Sequence, residues 1–257
     1  YDSGELELAI GYHVDALTVI MFCMVTLIAT CVHVYAMGYM HDELHGFTDH
    51  EVTVSDGSHL KRPGRYYRFF QYLSLFSFSM LGLVIAGNLF MVFVFWELVG
   101  ICSYFLIGFY YERKSASNAA NKAFIVNRVG DFGMLIGLMA LWASLGTFTF
   151  GDTRDAEGNV VETGIFSRVR PAENDYALTV PDGMVRLAKK GEVADIARAH
   201  VAQPDGLTSV EVAEARAAAE TEIQAQVNEW RAEESHPGYW LLVVAGVGIF
   251  CGCVGKS

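Results

Sequence analysis

Four ionisable residues stand where apolar sequence ordinarily excludes them: Glu97, Arg128, Asp131 and Lys256. Glu97 lies in "LFMVFVFWELVGICSYFLIGFYY", residues 89–111, too far from either end for its short side chain to reach a headgroup region. A charge near the centre of a membrane helix costs about 2.5–3.5 kcal/mol on insertion scales and marks an ion path or a buried pair. Desolvation disfavours the charged form of a carboxylate and a nearby cation favours it, a balance suited to a group whose charge changes during a working cycle. Glu97 has no cation in its own helix, so its partner must come from another one.

In "KAFIVNRVGDFGMLIGL", Arg128 and Asp131 are three residues apart, share a helix face and can pair. A purely structural ion pair explains them as well as a functional one. Lys256 is harder to place, because a lysine after a long apolar run ordinarily anchors a helix end at the headgroups. Against that reading, "AGVGIFCGCVGKS" holds Gly246, Gly248, Gly252 and Gly255, which weaken a helix and let a neighbour approach closely. A helix broken there would leave Lys256 inside the membrane, lining a cavity.

The elements that must position these groups follow from composition. The chain has 257 residues, 53% of them hydrophobic, and a positive mean hydropathy, too apolar for an ordinary soluble domain. Its net charge of −11 averages two unlike regions, since most acids fall between residues 150 and 237, and no nucleic-acid partner is expected. Five stretches are long enough to span a bilayer: 14–38, 69–87, 88–110, 122–146 and 238–255. The second and third, separated by Ala86–Asn88, make a tight hairpin. Chain ends at Tyr1 and Ser257 read as those of an internal piece of a longer protein.

Lys61, Arg62, Arg65 and Arg68 before the second span, and Arg113 and Lys114 after the third, fall on one side of the membrane. The excess of basic residues makes that side cytoplasmic. The chain then divides into an N-terminal helix and its flank (1–40), a cytoplasmic loop (41–68), a three-helix core with the buried acid (69–149), an acidic extracytoplasmic insertion (150–237) and a glycine-rich helix (238–257). In the insertion, turn residues and short strand-like pieces precede a helix signalled by Thr208 as N-cap with Glu211 three residues on. Val212, Ala215, Ala219, Ile223, Val227 and Trp230 draw one narrow apolar stripe along it, suited to lying on its own membrane domain or on a neighbouring subunit. His41, His45, His50 and His59 match no standard metal-site spacing, and the five cysteines read as small buried thiols.

Together, "YHVDALTVIMFCMVTLIATCVHVYAMGYM", "RFFQYLSLFSFSMLGLVIAGNLFMVFVFWELVGICSYFLIGFYY", "NAANKAFIVNRVGDFGMLIGL" and "GCVGKS" resemble the antiporter-like subunit of NADH-quinone oxidoreductase, respiratory complex I, called subunit L or chain 5. The resemblance implies an all-α polytopic membrane protein with an antiporter-like fold, part of an inverted-repeat helix bundle with broken helices. It implies proton translocation without a redox cofactor in this chain; NADH, FMN, iron-sulfur clusters and quinone would be handled by other subunits. Partners would be the other membrane subunits of the complex, the lipid bilayer and protons, in a bacterial inner membrane. Glu97 would face Lys256, with Arg128 and Asp131 tuning proton transfer in the same half-channel. The resemblance does not account for the insertion at 150–237. Two other classes stay open: the large subunit of a multi-subunit sodium/proton antiporter, and a membrane scaffold whose buried charges only pair.

Overall fold

An apolar run as long as a bilayer is thick can satisfy its backbone hydrogen bonds internally only as a helix, and that requirement shapes this chain. The computed structural model describes residues 10–154, 158, 160–172, 175, 178–179, 221, 225 and 237–256. Among them are α1 (Ala16–Tyr39), β1 (Phe47–Thr53), β2 (His59–Arg62), α2 (Tyr66–Ile85), α3 (Leu89–Ile107), α4 (Lys114–Leu145), β3 (Thr153–Arg154), β4 (Val160–Glu162), α5 (Ile165–Val169) and α6 (Pro237–Lys256). Five of these helices, α1 to α4 and α6, are long and apolar enough to cross a membrane. The described residues divide into two compact units, Gly11–Phe132 with 252–256 and Gly133–Cys251, so the division falls inside α4 and inside α6.

In the first unit, Asp15 starts α1 by accepting the amide of Thr18 at 2.7 Å, and Asn88 starts α3 by accepting that of Met91 at 2.8 Å. Only Ala86–Asn88 separate α2 from α3, and this link is pinned from outside: the Gly87 amide donates to the Gly11 carbonyl and the His13 amide to that of Ile85. The helix pair closes on aromatic contacts, with the Tyr72 and Phe105 rings stacked at 5.0 Å and Phe78 edge-on to Phe95 at 6.0 Å.

The polar stretch between α1 and α2 is a folded β-hairpin, which the charge reading of residues 41–68 as a loop does not anticipate. β1 and β2 pair antiparallel, and Gly57 supplies the positive φ of 82° that their turn needs. Tertiary ion pairs hold the hairpin down. The buried Arg62 guanidinium makes two parallel 2.8 Å bonds to the buried Glu43 carboxylate, which also accepts the Arg65 amide at 3.0 Å. Arg65 in turn pairs with Glu112, and Arg113 with Asp49 and Glu51, so residues just beyond α3 grip both the hairpin and the start of α2. Arg62 also lies 4.9 Å from the Phe47 ring centroid and 5.5 Å from that of Tyr110.

α4 begins at Lys114, eight residues before the apolar signal at 122, because "SASNAAN" is small and polar yet helix-compatible. In the second unit, α4 and α6 approach through glycines: Gly133 faces Cys251, and Gly137 faces the backbone of Ala245, Gly248 and Ile249. A Cβ on Gly137 would lie 2.8 Å from both the Ala245 oxygen and the Ile249 nitrogen, and backbone on both sides leaves it no room. Gly137→Ala is expected to destabilise this pairing by about 1–3 kcal/mol. Thermal unfolding of the detergent-solubilised full-length protein reads that loss, and an unchanged midpoint would mean the helices separate freely there.

Past α4, Asp152 accepts the Gly164 amide and the Ser167 hydroxyl, both at 2.9 Å, and Arg168 donates to the Leu145 carbonyl. These bonds fold the β3–β4 pair and α5 back onto the end of α4. The short strands correspond to the strand-like pieces read there from sequence. The Thr208 cap and the stripe from Val212 to Trp230 lie outside the described residues.

Candidate functional site

α3, α4 and the end of α6 contribute one ionisable cluster to the first unit, and the pairing within it differs from the expected one. Glu97, on α3, forms an ion pair with Arg128 of α4. The resemblance implied Lys256 as its partner, yet Lys256 is not within 4.0 Å of the carboxylate. The Lys256 ammonium instead donates to the main-chain carbonyl of Trp96 at 2.5 Å and sits 4.9 Å from the Trp96 ring centroid. Its electrostatic neighbours are Asp131, Glu97, Arg128 and Cys102, so Glu97 acts on it through space without a direct bond.

Arg128 and Asp131 do share a face of α4, but their closest N···O distance is 3.9 Å, too long for a hydrogen bond. Arg128 points across to Glu97 and packs its guanidinium over Phe124 at 4.8 Å. Asp131, 5% exposed, takes the indole N–H of Trp96 at 2.9 Å on Oδ1, while its Oδ2 is buried without a hydrogen-bond partner among the described residues. The sequence pattern pairs residues by spacing along one helix. A facing helix offers shorter, better-aligned partners, and those are the ones taken.

The glycine run does not interrupt α6, which is helical through Lys256. Lys256 is nevertheless half-buried, because its neighbours are small. Gly255 meets the backbone of Gly130 and Val126, and a Cβ on Gly100 would lie 3.0 Å from the Lys256 ammonium nitrogen, with Asn127 and Arg128 just beyond. Glycine at position 100 thus leaves the space on α3 that the ammonium fills. A continuous helix meeting glycine faces brings the lysine inward without unwinding the backbone.

Trp96, next to Glu97 on α3, is not singled out by the pattern of charges along the sequence. A signal was present, since a Trp N–H inside an apolar segment needs an acceptor. The cluster therefore reads Glu97–Arg128 on one side and Asp131–Trp96–Lys256 on the other, with Asp131 within ionic reach of both. Such a set can hold a proton on Lys256, release it when the balance of surrounding carboxylates changes, and relay charge between helices without any cofactor atom. Elsewhere, the rings of His50 and His59 meet edge-on at 4.9 Å, and no group of three or more His, Cys, Asp or Glu among the described residues is arranged to hold a metal.

Comparison with known proteins finds similarity over part of the chain. A family model described as NADH-ubiquinone oxidoreductase (complex I), chain 5 N-terminus matches residues 1–48, and one described as NADH:quinone oxidoreductase/Mrp antiporter, TM matches residues 86–167. NAD(P)H-quinone oxidoreductase chain 5 of Synechocystis sp. is 45% identical over 166 residues, 64% of this chain and 21% of the relative. Its counterpart in Picosynechococcus sp. is 46% identical over 166 residues, 64% of this chain and 22% of the relative. The chloroplastic subunit 5 of Anthoceros angustus is 47% identical over 149 residues, 58% of this chain and 18% of the relative. The chain thus spans about a fifth of the length of these relatives. With membrane-length helices, the site-bearing part of α3 and α4 inside a matched region, and relatives named chain 5 or subunit 5, the chain is similar over residues 1–48 and 86–167 to the antiporter-like membrane subunits that include complex I chain 5.

Proposed function

We propose that this chain works as part of a proton-translocating membrane subunit of NADH-quinone oxidoreductase, coupling electron transfer in other subunits to proton movement through the Glu97, Arg128, Asp131 and Lys256 cluster. The observation that carries the reading is the convergence of these four groups from three membrane-length helices. A carboxylate near a buried ammonium holds it protonated, and withdrawing the carboxylate lets desolvation expel the proton. In the arrangement seen, Arg128 holds Glu97 while Lys256 rests on the Trp96 carbonyl. Transfer of Glu97 from Arg128 toward Lys256 is the step that switches proton affinity. On this reading the redox chemistry, with NADH, FMN, iron-sulfur clusters and quinone, belongs to other subunits. The protein sits in a bacterial inner membrane, with residues 41–68 on the cytoplasmic side and residues 150–237 outside. The other membrane subunits of the complex are its partners.

A second reading, the large subunit of a sodium/proton antiporter, is favoured by one observation: the family description over residues 86–167 includes Mrp antiporters. Inside-out vesicles carrying the full-length protein separate the two. Lys256→Ala is expected to reduce NADH-driven proton uptake at least roughly tenfold, as loss of a group that bonds only in its charged form implies, while the subunit still assembles. Unchanged uptake with loss of sodium/proton exchange would replace the first reading by the second.

A further inference from the structure

Trp96 makes three contacts that no role assigned above uses as a set. Its main-chain carbonyl accepts from the Lys256 ammonium at 2.5 Å, its ring lies 4.9 Å from the same nitrogen, and its indole N–H donates to Asp131 Oδ1 at 2.9 Å. We propose that Trp96 is a positioning residue that couples the charge of Asp131 on α4 to the proton on Lys256 of α6, two groups with no hydrogen bond between them. This deepens the proton-transfer reading and rests on it.

Among the described residues Asp131 Oδ2 has no hydrogen-bond partner and lies 3.9 Å from Arg128, so the indole N–H is the described bond that fixes where this carboxylate points. One rigid ring donates that bond from its edge and meets the ammonium on its face, so any shift of Asp131 toward Arg128 turns the ring under Lys256. The main-chain carbonyl cannot follow such a turn, because it belongs to the helical backbone of α3. Lys256 is then held at one end by a fixed acceptor and at the other by a face that moves with Asp131. Cation–aromatic attraction strengthens as the pair is desolvated, and both Lys256 and Trp96 are half-buried. The remaining ionisable groups acting on Lys256 are Glu97 and Cys102 from α3 and Arg128 from α4, and its own helix carries Cys253. Among the contacts described, Trp96 alone bonds both Lys256 and a carboxylate of the cluster.

Trp96→Phe keeps an aromatic face, though a smaller one, and the main-chain carbonyl, and removes the N–H. The test measures NADH-driven proton uptake against pH in vesicles containing the assembled complex with the full-length subunit, for wild type, Trp96→Phe, Asp131→Asn and Lys256→Ala. Trp96→Phe is expected to assemble, to keep pumping, and to move the pH at half-maximal uptake by about one unit, the size of one lost hydrogen bond to a charged group. The Trp96→Phe/Asp131→Asn double variant is expected to shift no further than Asp131→Asn alone, because both remove the same link. An unmoved profile in Trp96→Phe, with uptake abolished by Lys256→Ala, would overturn the coupling role and leave the proton-transfer reading standing. Full uptake in Lys256→Ala would remove that reading and the inference with it. If Trp96→Phe does not assemble, Asp131→Asn carries the test alone, and an unmoved profile there would overturn the coupling.

Discussion

Arg62→Leu is expected to destabilise the first unit by about 3–5 kcal/mol, the typical penalty for leaving a buried carboxylate without its cation. Glu43, 2% exposed, would lose both arms of a two-bond pair and keep only neutral donors, the Arg65 amide and the Tyr110 hydroxyl. Glu112 would lose a second, more distant cation, and the Phe47 and Tyr110 rings the guanidinium beside them. The effect also depends on pH in a direction set by the carboxylates. Burial pushes Glu43 upward, but the bonds from Arg62 and the Arg65 amide outweigh it, so it sits below its ordinary value of 4.5. The bond from Arg113 holds Asp49 below 3.8; burial pushes Glu112 upward, but the Arg65 bond, a backbone amide and the charges of Arg65 and Arg62 together hold it below 4.5.

Carboxylates with depressed folded-state values contribute stability that is present above their ordinary range and lost as pH falls through the depressed values. The thermal midpoint of the wild type is therefore expected to hold near neutral pH and to drop below about pH 4, while Arg62→Leu starts lower and shows a shallower acid dependence. Circular dichroism melts of the full-length protein in detergent, taken from pH 3 to 7, read both effects. A variant that melts with the wild type at neutral pH would show that the hairpin is not held by this pair.

Arg128→Leu has the second large effect, on activity. Glu97 would be left without its bonded cation in a segment where nothing else in α3 can serve it. Loss of a charge-assisted bond of roughly 1.5–3 kcal/mol corresponds to roughly ten- to a hundredfold in proton uptake. The informative comparison is the double variant Arg128→Leu/Glu97→Gln, which removes both charges and so relieves the uncompensated carboxylate. Assembly, followed by the amount of intact complex, is expected to recover in the double variant while proton uptake stays low. Recovery of uptake along with assembly would mean the pair is structural and would favour the scaffold class.

The glutamate's need for a cation was legible because apolar sequence around an acid leaves it no other stable state. Which cation it takes was not, since Arg128 and Lys256 both come from other helices and differ only in how those helices rotate and cross. The same limit explains Asp131. Spacing of three residues along α4 puts Arg128 beside it, yet the indole of α3 comes 1 Å closer, at 2.9 against 3.9 Å, and is the bond formed. The β-hairpin was missed for a related reason: its turn signal, Asp56-Gly57, is local, but its stability comes from Glu43, Glu112 and Arg113, which lie outside the two strands.

By itself the sequence pointed to a membrane chain, to where its five long helices lie, and to Glu97, Arg128 and Asp131 as charges out of place within them, with Lys256 undecided between a headgroup anchor and the membrane interior, because bilayer thickness and the penalty for intramembrane charge act on the linear chain. Tertiary structure alone decided that Glu97 bonds Arg128, that Lys256 rests on Trp96 at the end of an unbroken α6, and that Gly100 leaves room for the ammonium. Partner choice among several oppositely charged groups depends on distances of an ångström between helices, and those distances come from close packing of glycine and aromatic faces that no spacing along one segment encodes.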